Sequence, residues 1–414
     1  MKISIIIPSY NSEKTLPKVV ESIFNSNYKN FEVIIVDDNS KKKVNSFIEN
    51  NNRIKIFRNT KNRGPSYSRN FGAGKAEGDL LLFIDSDILL KKDTLLKIKN
   101  EFKKDKNLKA LTGTYVPEVS YGSFFSEFYN LRLINGCNNV PKFGSYCNSS
   151  IFAIKNDVFL KSKGFNLKYR KAQIEDLELG LRLFDQGHKI KLNTGIRVVH
   201  DKEFTFSSIL NNDFNRSSDR VELVLNQRGI FKTLNQGFDQ SSSSQLIAVF
   251  LPPLILIFMI GALFFKTFFY LVLIFIGIFI FLNKRDFSYF YKKRGIIFLI
   301  KSILFSILDY LIIFFGIFKG IMVYFLDKLN LSRLFSHLPY LKYFIIKNRP
   351  VEITYFVTNK CNAKCGLCFY HDRLNTNKHE LKLVEIEKIF SNFSGLMRLI
   401  ISGGEPFMRE NFPE

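Results

Sequence analysis

The stretch from Leu246 to Leu282 is apolar apart from Lys266-Thr267, and no other feature limits the possible folds as sharply. As one helix it would reach about 55 Å, against a bilayer hydrocarbon core of about 30 Å. It therefore reads as two spans, 246–265 and 267–282, the first bent by Pro252-Pro253. The segment 283–295 follows with Lys284, Arg285, Lys292, Lys293 and Arg294, a basic loop of the kind retained in the cytoplasm. Residues 296–326 are apolar but interrupted by Lys301, Asp309 and Lys319. At about 100° per residue the two lysines share a face, with Ser302, Asp309, Gly316 and Gly320 near it. A charge at the centre of a span costs about 3 kcal/mol, so a helix lying in the interface is expected over 296–326, with a third span as the alternative. The expected organisation is a soluble part at 1–240, a membrane region at 241–345 and a further segment at 346–414. The protein would sit in the cell membrane, multi-pass, with residues 1–240 in the cytoplasm.

The formal net charge is +23 while 46% of residues are hydrophobic. Basic surface beside membrane helices suits anionic lipid on the cytoplasmic side. No nucleic-acid recognition motif accompanies the charge, so nucleic acid is not an expected partner. The chain has 45 Phe and no Trp, which reads as a coding bias rather than as function. It enters a strand directly at its start, without the pattern of a signal peptide.

Strand and helix patterns alternate through 1–240. Lys2–Pro8, Phe31–Val36 and Arg53–Phe57 are apolar strands. Helices are expected at Glu13–Asn25, capped by Ser12, and at Pro65–Ala76. Such alternation predicts an α/β fold with a parallel sheet and helices on both faces. The central strand is Asp79–Ile84, ending in Asp85-Ser86-Asp87. Side chains two apart on a strand point the same way, which would set Asp85 and Asp87 side by side at its carboxyl end. Ligands bind at that end of an open sheet, and two hard oxygen donors there suit Mg²⁺ or Mn²⁺ and hence a diphosphate.

Ile7-Pro8-Ser9-Tyr10-Asn11, Val36-Asp37-Asp38-Asn39-Ser40, Asn62-Arg63-Gly64, Arg69-Asn70-Phe71-Gly72, Ala76-Glu77-Gly78-Asp79 and Asp85-Ser86-Asp87 occur in that order. Together they resemble a family-2 glycosyltransferase with the GT-A nucleotide-diphospho-sugar transferase fold, over roughly the first 230 residues. The resemblance implies that Pro8 and Tyr10 line the nucleotide pocket and that Asp37 and Asp38 hydrogen-bond the base. It places Arg69 near the ribose or diphosphate, and Asp85 and Asp87 on the nucleotide sugar's metal. Glu175-Asp176, at the start of a helix ending near Gln186-Gly187, is similar to the family's acceptor-side motif. Asp176 is then the general base, with Glu175 a second catalytic candidate, because an acceptor hydroxyl must lose a proton as it attacks the anomeric carbon. His200, ending the strand Ile196–His200, is a third metal candidate, and its imidazole favours Mn²⁺ over Mg²⁺. Ser145–Ile154 reads as a strand with a polar start. Processive synthases of this family carry Gln-x-x-Arg-Trp; with no Trp here, transfer of one sugar is the implied chemistry.

Beyond the membrane region, Cys361, Cys365 and Cys368 are spaced to ligate three irons of a [4Fe–4S] cluster. With Gly403-Gly404-Glu405-Pro406 they resemble the start of a radical S-adenosylmethionine domain, a partial (β/α) barrel whose strands here would be Val351–Val357 and Leu396–Ser402. The barrel needs more residues than 346–414 supply, so the expectation is a fusion whose second activity is incomplete in this sequence. The cluster and S-adenosylmethionine would belong to a complete C-terminal domain only. The functional expectation is a membrane-anchored, metal-dependent, inverting transfer of a single sugar from a nucleotide sugar to a lipid or polyprenyl-phosphate acceptor. The alternatives are a catalytically silent scaffold for the radical enzyme, or radical chemistry as the main activity.

Overall fold

The computed structural model describes residues 1–49, 51–118, 121–169, 173–225, 240–328, 352–356, 385 and 398–402. The chain divides into two units, Met1–Tyr324 and Phe325–Glu414.

In the first unit, β1 (Ile3–Ser9), β2 (Phe31–Asp37) and β4 (Leu80–Phe83) are short runs of branched and aromatic residues buried along their whole length, apart from half-buried Pro8. Runs of that kind are stable only inside a sheet covered on both faces. Each fully buried Ile, Val, Leu or Phe stabilises the fold by about 1.5–3 kcal/mol relative to exposure. With β3 (Ile54–Arg58) they form the parallel half of the sheet, in the order β3-β2-β1-β4. Helices α1 (Leu16–Phe24), α2 (Pro65–Ala73) and α3 (Thr94–Lys104) pack on it. Helix α1 starts later than Ser12 predicts, because the Ser12 hydroxyl is 2.6 Å from that of Ser9 and Thr15 takes the cap position.

The other half departs from the expected parallel sheet. After β5 (Ile88–Leu90), β6 (Ala110–Tyr115) and the short β7 (Phe143–Gly144), strand β8 (Phe152–Lys155) inserts antiparallel between β4 and β6. Strand β9 (Ile190–His200) runs parallel to β6 and antiparallel to β5 and β7. The sheet is therefore mixed, in the order β3-β2-β1-β4-β8-β6-β9-β5, and the architecture is α/β. The polar start expected of the strand at Ser145–Ile154 is a single 3₁₀ turn at Ser149–Ile151 instead. Helices α4 (Phe124–Asn138), α5 (Asn156–Lys161), α6 (Glu175–Asp185) and α7 (Phe206–Leu223) complete this part.

A helical region follows: α8 (Ser243–Ala248), α9 (Leu251–Ala262), α10 (Lys266–Leu282) and α11 (Lys284–Lys328). Two stretches, Ser243–Ala262 and Lys284–Leu326, are long and apolar enough to cross a membrane, and α10 is a shorter apolar helix. The basic segment 284–294 is helical rather than a loop, and the chain kinks at Gly295, where φ is +77°. Leu263 and Phe264, between α9 and α10, are 80% and 75% exposed, and α11 presents Ile297, Leu304 and Phe318 outward. Apolar surface on that scale needs a cover other than water.

The polar stripe read from 296–326 faces inward in part, at Ser302, Asp309, Gly316 and Gly320, while Lys301 is exposed. Ser302 and Asp309 are fully buried, and Arg132 of α4 donates to Asp309 at 2.6 Å and also to Asp213 of α7. Gly316 lies so close to α7 that a Cβ there would sit 2.1 Å from Ser217 Oγ and 2.4 Å from the Phe214 carbonyl. Phe305 crosses Phe128 of α4 edge-on at 5.0 Å. In the second unit, β10 (Glu352–Phe356) and β11 (Arg398–Ser402) pair in parallel. The expected strands thus exist; Cys361, Cys365, Cys368, Gly403, Gly404, Glu405 and Pro406 lie outside the described residues.

Candidate active site

Strand β4 ends at Phe83, short of the acidic pair. A turn closed by the Ile88 amide donating to the Asp85 carbonyl (3.2 Å) then sends the chain into β5. Asp85 and Asp87 therefore project from a turn rather than side by side from a strand, and their partners diverge. Asp85 accepts from Arg69 Nη2 at 2.7 Å and from the Ser150 hydroxyl at 2.6 Å. Asp87 faces β9, with Oδ2 at 3.7 Å from His200 Nε2. That distance exceeds a hydrogen bond, so the attraction is electrostatic. Burial alone would raise the Asp87 pKa, yet His200 and Lys202 hold the carboxyl below its ordinary value. The His200 ring stacks on Tyr115 at 5.3 Å and meets Phe204 edge-on at 5.5 Å, which fixes its plane.

Arg69 of α2 is 1% exposed. Its Nη1 donates to Glu175 Oε1 at 2.8 Å while Nη2 holds Asp85, and its guanidinium lies 5.2 Å from the Phe165 ring centroid. Burial opposes its charge, but the two carboxylates more than offset that and keep its pKa above the ordinary value. Glu175 also accepts from the Gln173 amide at 2.7 Å, so both of its oxygens are engaged. Asp176 differs. It is half-buried at the first turn of α6, accepting from the Leu177 amide at 2.8 Å and the Ser149 amide at 3.4 Å. The amino end of a helix favours its ionised form.

Arg69, Asp85, Asp87, Glu175, Asp176 and His200 all line one cavity of about 410 Å³. Pro8, Tyr10, Asp37 and Asp38 do not line it. They gather at the carboxyl ends of β1 and β2, where Ser9 pairs with Asp37 and Tyr10 is 52% exposed. Asp38 accepts from the amides of Arg63 (2.9 Å) and Gly64 (2.7 Å) and from Asn59 Nδ2 (2.7 Å). It thus braces the amino end of α2, whose lead residue Gly64 has φ +87°, a conformation glycine adopts without steric penalty. Asp37 accepts from the Ser40 amide at 2.8 Å and pairs with Arg58.

The opposite wall was not legible as a site. It is formed by Tyr129 of α4 and by Ser208, Asn211, Asn212, Asn215 and Arg216 of α7, while Ser149 and Ser150 lie beside Asp176 and Asp85. The α7 residues recur at three- and four-residue spacing, and that polar periodicity was the available signal. Tyr115 donates to Asn148 Oδ1 at 3.2 Å, and its burial pushes the phenol pKa up, so it stays a neutral donor.

Among the described residues, no three His, Cys, Asp or Glu side chains converge as a finished metal-ligand set. Asp87 and His200 come nearest. Asp87 Oδ1 and His200 Nδ1 are buried without a hydrogen-bond partner, and Asp87 Oδ2 faces His200 Nε2 at 3.7 Å, so the pair carries oxygen and nitrogen donors that fit a cation. Asp85 is occupied by Arg69 and Ser150.

Residues 4–152 match the family described as glycosyl transferase family 2. An uncharacterized glycosyltransferase of Haemophilus influenzae is 41% identical over 102 residues, 24% of this chain and 41% of that protein. The glucosyl-dolichyl phosphate glucuronosyltransferase of Haloferax volcanii is 27% identical over 222 residues, 49% of this chain and 67% of that one. The GalNAc(5)-diNAcBac-PP-undecaprenol beta-1,3-glucosyltransferase of Campylobacter jejuni is 29% identical over 210 residues, covering 43% and 68%. The chain thus spans from under half to about two thirds of the length of these relatives. Residues 4–152 thus match glycosyl transferase family 2, and glycosyltransferase is the enzyme class that this match and the named relatives support.

Proposed function

We propose that the protein transfers one sugar, with inversion, from a nucleotide sugar to a lipid-linked or polyprenyl-phosphate-linked acceptor at the cytoplasmic face of a membrane. The observation that carries this reading is the convergence of Asp87, His200, Arg69 and Asp176 on one cavity, which the polar face of α7 also lines. Two relatives are named for dolichyl phosphate and undecaprenol-linked substrates, which supports the acceptor class.

Asp176 takes the proton from the acceptor hydroxyl as its oxygen attacks the anomeric carbon. The bond from that carbon to the diphosphate breaks, and its electron pair leaves with the nucleoside diphosphate. Arg69 and Glu175 keep Asp85 and the start of α6 at fixed positions. Pro8, Tyr10, Asp37 and Asp38, at the ends of β1 and β2, are assigned to the nucleotide side. Mn²⁺ or Mg²⁺ would be held by Asp87 and His200, with Asp85 the further candidate. Bound there, the cation neutralises charge growing on the leaving diphosphate.

Chelation should abolish nucleoside diphosphate release, and added Mn²⁺ should restore it. His200→Ala should raise the Mn²⁺ needed for half-maximal rate by about tenfold or more. A rate unchanged by chelation and by Asp87→Ala would remove the metal from the reading. A panel of sugar nucleotides, assayed for diphosphate release, identifies the donor.

The membrane reading rests on the outward apolar surface of α9 to α11. Because Ser302, Asp309 and Gly316 dock on α4 and α7, whose exposed surface is polar, α11 beyond Gly295 is assigned to the bilayer interface rather than to a third span. In the second unit, the parallel pairing of β10 and β11 supports the opening strands of a (β/α) barrel. A [4Fe–4S] cluster there would give a brown absorbance after anaerobic purification of a complete domain; iron content unchanged by replacing all three cysteines would exclude it.

A further inference from the structure

A second cavity, of about 330 Å³, adjoins the catalytic one. Tyr129, Leu133, Arg216 and Gln240 line both. Past that common wall the lining changes character: Val221 of α7, Leu246 and Val249 of the α8 segment, and Ile313, Ile317 and Ile321 of α11 make it mainly apolar. An aliphatic lining of this kind is satisfied by an apolar occupant rather than by water. The carboxylates on the lining are already engaged, Asp213 by Arg132 and Asp286 by Asn135 and Gln245. Arg216 and Arg220 add positive charge from α7, and only Arg216 also reaches the catalytic side.

We propose that this chamber receives the first part of the acceptor's hydrocarbon chain, and that Arg216 holds the acceptor phosphate at the common wall. The hydroxyl-bearing head then enters the catalytic cavity toward Asp176. The inference rests on the reading of the protein as a transferase to a lipid-linked acceptor, and deepens it by assigning the chain a place. The occupant is a phosphorylated lipid because the two surfaces it must satisfy, an aliphatic wall and a guanidinium, are contiguous.

Binding to the full chain in nanodiscs tests this with a long-chain polyprenyl phosphate, the corresponding polyprenol and inorganic phosphate. The polyprenyl phosphate should bind about tenfold tighter than the alcohol, and Arg216→Gln should erase that difference while Arg216→Lys restores part of it. Inorganic phosphate should not compete. Ile317→Trp and Val249→Trp should weaken both lipids, whereas Ile274→Trp, on a 55% exposed position of α10, should weaken neither. In the unmodified protein, a polyprenyl phosphate with a photoreactive group in its first isoprene units should label α7 and α11 along the chamber. Label confined to the outward faces of α9 and α10, or lipid affinity unchanged in folded Ile317→Trp, overturns the proposal. The two readings fail separately. Diphosphate release with the label outside the chamber sinks the chain site alone. Chamber labelling without release from any sugar nucleotide sinks the transferase.

Discussion

Asp176→Asn should lower the turnover of sugar transfer by about 10²- to 10⁴-fold, the range lost with a positioned general base. The amide keeps the shape of the carboxylate and one of its two bonds from the Leu177 and Ser149 amides, since its nitrogen cannot accept, and it cannot take the acceptor's proton. Donor binding should persist, since the proposed metal and nucleotide groups lie on other elements. Product release, measured with and without acceptor, separates the two steps. Glu175→Gln should behave differently. Glu175 is 2% exposed, shares Arg69 with Asp85 and accepts from the Gln173 amide, so it acts as a positioning residue. Its loss leaves a buried guanidinium half-paired, which shows first as lower stability and only then as a slower rate. A Glu175→Gln protein with wild-type stability but no turnover, beside an active Asp176→Asn, would reverse the two assignments.

Arg132→Met should destabilise the folded unit by about 3–5 kcal/mol, because removing one member of a buried ion group strands the others. Arg132 lies between Asp213 of α7 and Asp309 of α11, both buried. Burial works against its charge, while the two carboxylates hold its pKa above the ordinary value. Denaturant unfolding in detergent checks the loss. Adding Asp213→Asn and Asp309→Leu to Arg132→Met should recover most of it, since an apolar replacement of the whole group is often neutral. An unshifted unfolding midpoint in Arg132→Met would show that α11 is held by apolar packing alone.

The readings that succeeded rest on local chemistry. Buried strands at 3–9, 31–37 and 80–83 were legible because a run of branched residues has few other ways to leave water. The sequence also brought out Asp85, Asp87 and Asp176 as candidates, and the structure places all three on one cavity, although the acidic pair leaves from a turn rather than from the strand end. Other features depend on partners far along the chain. The antiparallel insertion of β8 depends on which edge of the sheet remains open after β4, and no residue within Phe152–Lys155 encodes that. Asp38 looks like a ligand-binding carboxylate, but its oxygens also brace Arg63 and Gly64, a role set by the loop that meets it.

The polar stripe of 296–326 makes the division clear. Its spacing was fixed by the sequence, since Ser302, Asp309 and Gly316 fall near one face at helical periodicity. What that face meets was not. A stripe of small and charged residues suits water or a protein surface equally, because both satisfy polar groups; only the close approach of α7 and the placement of Arg132 decide for protein. The same holds for the site. The sequence by itself determined the acids, the arginine and the histidine, whose chemistry is local to each side chain. Only the tertiary structure decided that α7 faces them and that an apolar chamber adjoins them, because cavities are made by elements that do not meet until the chain is folded.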